Sequence, residues 1–278
     1  MTLTETRTDA QPTSASTQKR PVVVMRSVSK LFSNGTLALS NMSLTVERGQ
    51  FVSLLGPSGC GKSTALRIIA GLGEPSSGTI EWPSSAINSR GLPEGDIGFV
   101  FQDPTLMPWR TVFGNVELPL RLQRVPRAES RERVMAALAT VGLSDFAKSY
   151  PRELSGGMRM RVSIARALVM RPKLLLMDEP FAALDEITRQ RLNDDVLQLW
   201  RQSGITVIFV THSVFESAYL SNRIVVMRPR PGQVFTDLPL QTSSVRGEEY
   251  RTSEEYRATC AVVSHALHDA IHAAESVR

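Results

Sequence analysis

Apolar residues recur along this chain with two different periods. Short apolar runs at residues 22–25, 44–47, 51–55, 78–82, 97–101, 174–177, 206–210 and 224–227 read as strands, and Asn34-Gly35 reads as the turn between the first two. Phe51-Val52-Ser53-Leu54-Leu55 ends at Gly56, as a buried strand feeding a glycine loop does. Residues 65–70 predict a helix stopped by Gly71 and Gly73. From Thr111 to Arg171 the spacing becomes helical: Val112, Val116 and Leu120; then Val134, Ala137, Leu138 and Val141; then Val162, Ala165, Leu168 and Val169. No strand signal interrupts this stretch, which reads as an inserted helical subdomain covering about residues 103–171. Strand–helix alternation then resumes, with a helix over 187–201 and a closing helix over 252–274. Such alternation predicts an α/β fold with a mostly parallel sheet covered by helices.

Composition narrows the class. The 278 residues, 42% hydrophobic and 21% charged, suffice for one large domain or one domain with a subdomain. Two cysteines, Cys60 and Cys260, make no disulfide framework and fit a reducing compartment. Residues 1–20 are rich in Thr, Ser and Gln without an apolar run, so they read as a disordered tail rather than a signal peptide. No stretch approaches the roughly 18–20 apolar residues of a membrane span. A net charge of +5 and a pI of about 9.5 admit nucleic acid, lipid headgroups or nucleotide phosphates as partners. Arg121, Arg124, Arg127, Arg131 and Arg133 cluster, but Glu129 and Glu132 interrupt them, and the dispersed charge favours a solvated basic surface.

The chemistry sits in two segments. Gly56-Pro57-Ser58-Gly59-Cys60-Gly61-Lys62-Ser63-Thr64 matches a phosphate-binding loop, with a strand before it and a helix after it. Its glycines let backbone N–H groups turn towards phosphate oxygens, and the following helix N-terminus adds partial positive charge. Lys62 can reach the β- and γ-phosphates, and Ser63 can offer its hydroxyl to Mg²⁺. Leu174-Leu175-Leu176-Met177-Asp178 supplies a buried strand with Asp178 at its carboxyl end, placed to hold the same ion. Glu179 follows, either as the group that orients or deprotonates an attacking water or as a structural acid.

Here the chain resembles the ATP-binding subunits of ABC transporters, over about residues 22–234. Leu154-Ser155-Gly156-Gly157, lying between the two segments and followed by Arg161-Val162-Ser163-Ile164-Ala165-Arg166-Ala167-Leu168, resembles the family's signature. The resemblance implies a P-loop NTPase fold of ABC type, with a mostly parallel core sheet, a small antiparallel β subdomain and an inserted α-helical subdomain. The ABC domain would span residues 21–234, and residues 235–278 would form a short extension ending in a helix. It also implies that Ser155, Gly156 and Gly157 bind the γ-phosphate of ATP held by a second copy. Gln102 resembles the glutamine that senses Mg²⁺ and water, so the metal set would be Ser63, Gln102 and Asp178. His212 resembles the switch histidine, and Ala183-Leu184-Asp185 the loop that crosses the dimer interface. Phe32 resembles the aromatic that stacks on adenine, where relatives often carry Tyr; the alternative is a core aromatic. Met158 stands where many relatives carry Gln.

The implied partners are a second copy, integral membrane permease subunits and, indirectly, a solute-binding protein, at the cytoplasmic face of the membrane and without nucleic acid. Residues 102–112 and 226–232 look like those of importers of nitrate, sulfonates, taurine or thiamine-precursor pyrimidines, although no residue here would touch the solute. Trp109 is either a partner contact or a subdomain core residue. The alternative is a soluble ABC ATPase not coupled to transport. A DNA-acting relative would need a long coiled-coil insertion, a translation-type relative two tandem modules, and an exporter fused membrane spans.

Two further features carry chemistry. His265, His268 and His272 share one face of the last helix, either as an exposed polar face or as metal ligands. Cys60 lies at a helix N-terminus, a setting that lowers a thiol pKa, so its modification is expected to block ATP binding.

Overall fold

The computed structural model describes residues 21–89, 91–241 and 246–275. In chain order the elements are β1 (Pro21–Leu31), β2 (Leu37–Glu47), β3 (Phe51–Leu55), α1 (Lys62–Ile69), β4 (Ser77–Glu81), β5 (Ile97–Val100), α2 (Val112–Leu122), α3 (Arg127–Thr140), α4 (Gly156–Leu168), β6 (Leu174–Asp178), α5 (Glu186–Ser203), β7 (Thr206–Thr211), α6 (Val214–Leu220), β8 (Arg223–Arg228), β9 (Gln233–Pro239), α7 (Glu248–Thr252) and α8 (Glu254–Glu275). Two sheets result. One is antiparallel, in the order β2-β1-β4; the other runs β5-β6-β7-β3-β8-β9, parallel except for β9.

The continuous apolar runs of β3, β6 and β7 follow from cover on both faces. Val52, Leu54, Leu174, Leu176, Ile208 and Val210 enter the core shared with α1 and the antiparallel sheet. Their neighbours Phe51, Leu175, Met177, Val207 and Phe209 enter the opposite core, shared with α5 and the helical subdomain. Each such side chain contributes about 1.5–3 kcal/mol on burial. The sheet's centre is therefore rigid, and it fixes the strand ends that carry the polar residues.

Helices α2, α3 and α4 form where the spacing is helical, because Val112, Val116, Leu120, Val134, Leu138 and Val162 share one buried cluster. Caps mark its helices: Thr111 Oγ1 accepts from Gly114 N–H at 3.2 Å, and Ser155 Oγ from Met158 N–H at 3.3 Å. Three features depart from the sequence reading. Helix α1 starts at Lys62, directly from the glycine loop, rather than at residue 65. Helix α6 and edge strand β9 carry no strong period of their own, and the boundary drawn at residue 234 falls inside β9. The closing helix is two helices, α7 and α8. They dock through Tyr250 and Tyr256, whose rings lie 6.2 Å from Tyr219 of α6, and through the Arg251–Asp194 ion pair at 2.8 Å. His265, His268 and His272 are exposed on α8, with the rings of His268 and His272 4.1 Å apart.

Candidate nucleotide-binding site

Strand β3 delivers Gly56 to the carboxyl edge of the sheet, and residues 56–61 turn the chain into α1. Gly61 has φ 91°, and a Cβ there would lie 2.6 Å from the Ala38 carbonyl oxygen, so only glycine fits this close approach to β2. It offers no side-chain cap to α1, which leaves the first N–H groups of the helix available to an anion. Lys62 is only 4% exposed. Its ammonium donates to the carbonyls of Gly56 at 2.8 Å and Pro57 at 3.0 Å, which pulls the loop into an arch.

The carboxylates arrive from the neighbouring strands. Asp178, at the end of β6 and 7% exposed, accepts from Ser63 Oγ at 2.7 Å. Burial raises its pKa, while the Ser63 hydrogen bond works against the shift. Ser63 and Asp178, with Gln102 on the cleft wall, form a set of oxygen donors suited to a hard cation such as Mg²⁺, and a buried carboxylate of this kind gains most from an added positive charge. Glu179 has φ 44°, a conformation that costs a non-glycine residue about 1–3 kcal/mol. Its N–H still bonds to Val210 O at 3.0 Å, while the side chain turns back into the cleft. There Glu179 Oε1 lies 3.6 Å from Lys62 Nζ, and Oε2 lies 3.1 Å from Nδ1 of His212, just beyond β7. One acid thus joins the phosphate-loop lysine to the histidine, where it can take a proton from, or orient, a water molecule.

The cleft has a volume of about 780 Å³. Ser58, Gly59, Gly61, Lys62, Ser63, Thr64, Gln102 and Glu179 all line it, while Gly56, Pro57 and Cys60 form the back of the arch. Sequence reasoning missed the opposite wall, made by Thr36, Leu37, Ala38, Arg230 and Pro231. The loop carrying Arg230 is locked down at Gly232, whose N–H donates to Ala38 O at 3.0 Å. A Cβ on Gly232 would sit 2.1 Å from Cys60 O, so this glycine lets the loop lie directly on the phosphate loop. Glycine after a proline signals a turn, but nothing local in the sequence says what the turn touches.

The remaining expected residues lie outside this cleft. Phe32 is 43% exposed at the β1–β2 hairpin, with Lys30 Nζ 5.5 Å from its ring centroid; it is not a core aromatic, and the other limb of its hairpin is the cleft wall at Thr36–Ala38. Ser155, Gly156 and Gly157 open α4, with Ser155 exposed. Asp185 caps α5 by accepting from Thr188 N–H at 2.9 Å, a bond that lowers its pKa.

Cys60 is a correction. Its side chain is fully buried, and burial raises the thiol pKa despite the pull of Lys62 in the other direction. The expected reactive thiolate is a protonated core thiol, because desolvation outweighs the helix terminus and the lysine. Alkylation is therefore expected to reach the half-buried Cys260 well before Cys60. Peptide mapping by mass spectrometry over a time course of iodoacetamide checks the order, and first labelling at Cys60 would contradict the burial.

With this geometry in place, the chain can be set beside known proteins. A family model described as "ABC transporter" matches residues 39–182. A putative ATP-binding protein of Brucella abortus is 45% identical over 234 residues, 84% of this chain and 89% of that protein. The aliphatic sulfonates import ATP-binding protein SsuB of Bacillus subtilis is 41% identical over 79% of this chain and 83% of its own length. The nitrate import ATP-binding protein NrtD of Synechocystis sp. is 43% identical over 77% of this chain and 78% of its own length. Among solved structures, cbiO1 of Clostridium perfringens, part of the ABC transporter complex cbiONQ, has a TM-score of 0.71 at 31% identity, covering 78% of this chain and 88% of that one. The dimeric ATP-binding cassette MJ0796 bound to ADP and Pi has a TM-score of 0.69 at 35% identity, covering 80% of this chain and all of that one. The chain belongs to the ABC transporter family, as an ATP-binding member that hydrolyses ATP.

Proposed function

We propose that this chain is the ATPase subunit of an importer, and that it drives uptake of a small solute through separate membrane subunits. The observation that carries the reading is Trp109, which is 73% exposed, on the segment that leads from Gln102 in the cleft to α2. Trp109 is not a core residue of the subdomain. Asn115, fully buried, accepts from Met107 N–H at 2.7 Å and donates to the carbonyls of Met107, Arg110 and Thr111, folding the loop so that the indole faces outward. Arg166 of α4 ties the same segment to the signature helix through Pro104 O at 2.8 Å and Thr105 O at 2.9 Å. Beside it, a groove of about 490 Å³ runs between β5, α2 and α4, lined by Phe99, Phe101, Leu118, Leu122 and Met170. An exposed indole on a segment whose Phe101 and Thr105 line an apolar groove suits a helical segment of a membrane subunit. The relatives named for sulfonate and nitrate import make a small oxyanion the first solute class to try, with taurine or a thiamine-precursor pyrimidine next.

In this reading, Lys62 and the N–H groups of the phosphate loop bind the triphosphate, and Phe32 stacks on adenine. Ser63, Asp178 and Gln102 would hold Mg²⁺, whose charge neutralises β- and γ-phosphate oxygens when bound. Glu179 orients and deprotonates the attacking water, and His212 positions Glu179 and meets the γ-phosphate. Ser155, Gly156 and Gly157 of a second copy close over that phosphate, with Asp185 at the interface, in a two-fold dimer. The assembly sits at the cytoplasmic face of the membrane, with a solute-binding protein delivering cargo from the far side. Trp109→Ala is expected to keep the ATPase activity of the isolated chain, while solute uptake by the reconstituted assembly falls at least tenfold. Unchanged uptake would remove the coupling role of this loop, and failure of the chain to co-purify with any permease subunits would favour a soluble ATPase.

A further inference from the structure

A polar chain, buried at Thr211 and Glu216, connects the loop that bears Asp185 to the loop that bears His212. Thr211, the last residue of β7 and immediately before His212, donates its hydroxyl to Glu216 Oε2 on α6. Ser213 N–H donates back to Thr211 Oγ1 at 3.0 Å, and Ser213 Oγ caps α6 by accepting from Glu216 N–H at 3.2 Å. The other oxygen of Glu216 faces Arg189 Nε of α5 at 3.7 Å. Arg189 donates through Nη2 to Leu184 O at 2.9 Å and through Nη1 to Glu186 Oε2 at 3.1 Å. Leu184 precedes Asp185, and its side chain packs over Gly156 of α4. Glu216 is buried, and Arg189 Nε is buried without a hydrogen-bond partner, so the two charges compensate each other through space.

We propose that Glu216 and Arg189 are positioning residues that transmit the docking of a second copy at Asp185 and Ser155 to His212, and through it to Glu179. The inference rests on the shared-site reading above. A displacement at Asp185 moves the Leu184 carbonyl, which holds the Arg189 guanidinium. Arg189 is the counter-charge of Glu216, and Glu216 holds the hydroxyl next to His212. Removing Arg189 leaves Glu216 buried without this counter-charge, whereas removing Glu216 leaves Arg189 its ion pair with Glu186, so it is Glu216 that follows the guanidinium. Neither residue lines the cleft.

The test uses the full chain with ATP and Mg²⁺. Glu216→Gln keeps the shape and an acceptor for Thr211 but removes the charge. It is expected to lower kcat at least tenfold, with KM for ATP within twofold of the parent and the ATP concentration dependence losing its cooperativity. Arg189→Gln should give the same split, and the double variant should be no worse than either single one. Thr211→Val, which removes only the hydroxyl, is the backup should Glu216→Gln fail to fold, and is expected to lower kcat with KM unchanged. Parent kcat in the folded Glu216→Gln chain, or defects that multiply in the double variant, would overturn the coupling. Glu179→Gln run in parallel separates the two readings: if it is inactive while Glu216→Gln is not, only the coupling fails; if it is active, the catalytic assignment fails first.

Discussion

Replacing Glu179 by glutamine is expected to stop ATP turnover while leaving ATP binding intact. Glutamine has the same length, so the strained backbone at φ 44° and the contact with His212 can persist. It cannot accept a proton from water, and a positioned general base contributes about 10²–10⁴-fold in rate. The substitution also removes the anion 3.6 Å from Lys62, leaving that ammonium free to engage phosphate, so affinity should hold or rise. The visible consequence is a dimer that accumulates in ATP, measured by size-exclusion chromatography alongside steady-state phosphate release. Hydrolysis at the parent rate by this variant would show that Glu179 has only a structural task.

The second large effect tests whether the site is shared. Ser155→Asp preserves the helix cap, since aspartate accepts from Met158 N–H as serine does, so α4 should fold normally. In the proposed shared site it also puts a negative charge beside the γ-phosphate of the other copy's ATP. Activity is expected to fall at least a hundredfold with binding of ATP to the single chain unchanged. Lys62→Ala is expected to be inactive for the opposite reason, since it cannot bind the triphosphate. Mixing the two inactive chains should restore activity, because the mixed dimer contains one site with an intact loop and an intact signature. Mixtures that stay inactive at all ratios, although mixed dimers form, would mean that each chain needs its own Ser155.

Much of this was legible in the sequence because the chemistry is local there. Gly56 to Thr64 and Leu174 to Glu179 are each continuous, and the strand or helix beside them follows from the same residues. Ser155 stood out only through its resemblance to the family's signature, and the structure adds that it caps α4. The opposite cleft wall was not, because Thr36–Ala38 and Arg230–Pro231 reach the site only through strand pairing and the contact at Gly232. Nor was the Glu216–Arg189 link, whose two members lie on different helices with nothing periodic between them. Strand β9 was hidden by its edge position, where half-exposed residues and Pro239 blur the alternation. Cys60 failed differently: the burial that dominates its thiol depends on tertiary packing.

The seat of Gly232 on the phosphate loop has a consequence for how the protein is made. Strand β3 lies between β7 and β8, and the arch that follows it is clamped by a turn some 170 residues later in the chain. The phosphate loop is among the first parts to leave the ribosome and among the last to acquire its neighbours. Nucleotide affinity is thus expected to appear only once β8 and the turn at Gly232 are in place.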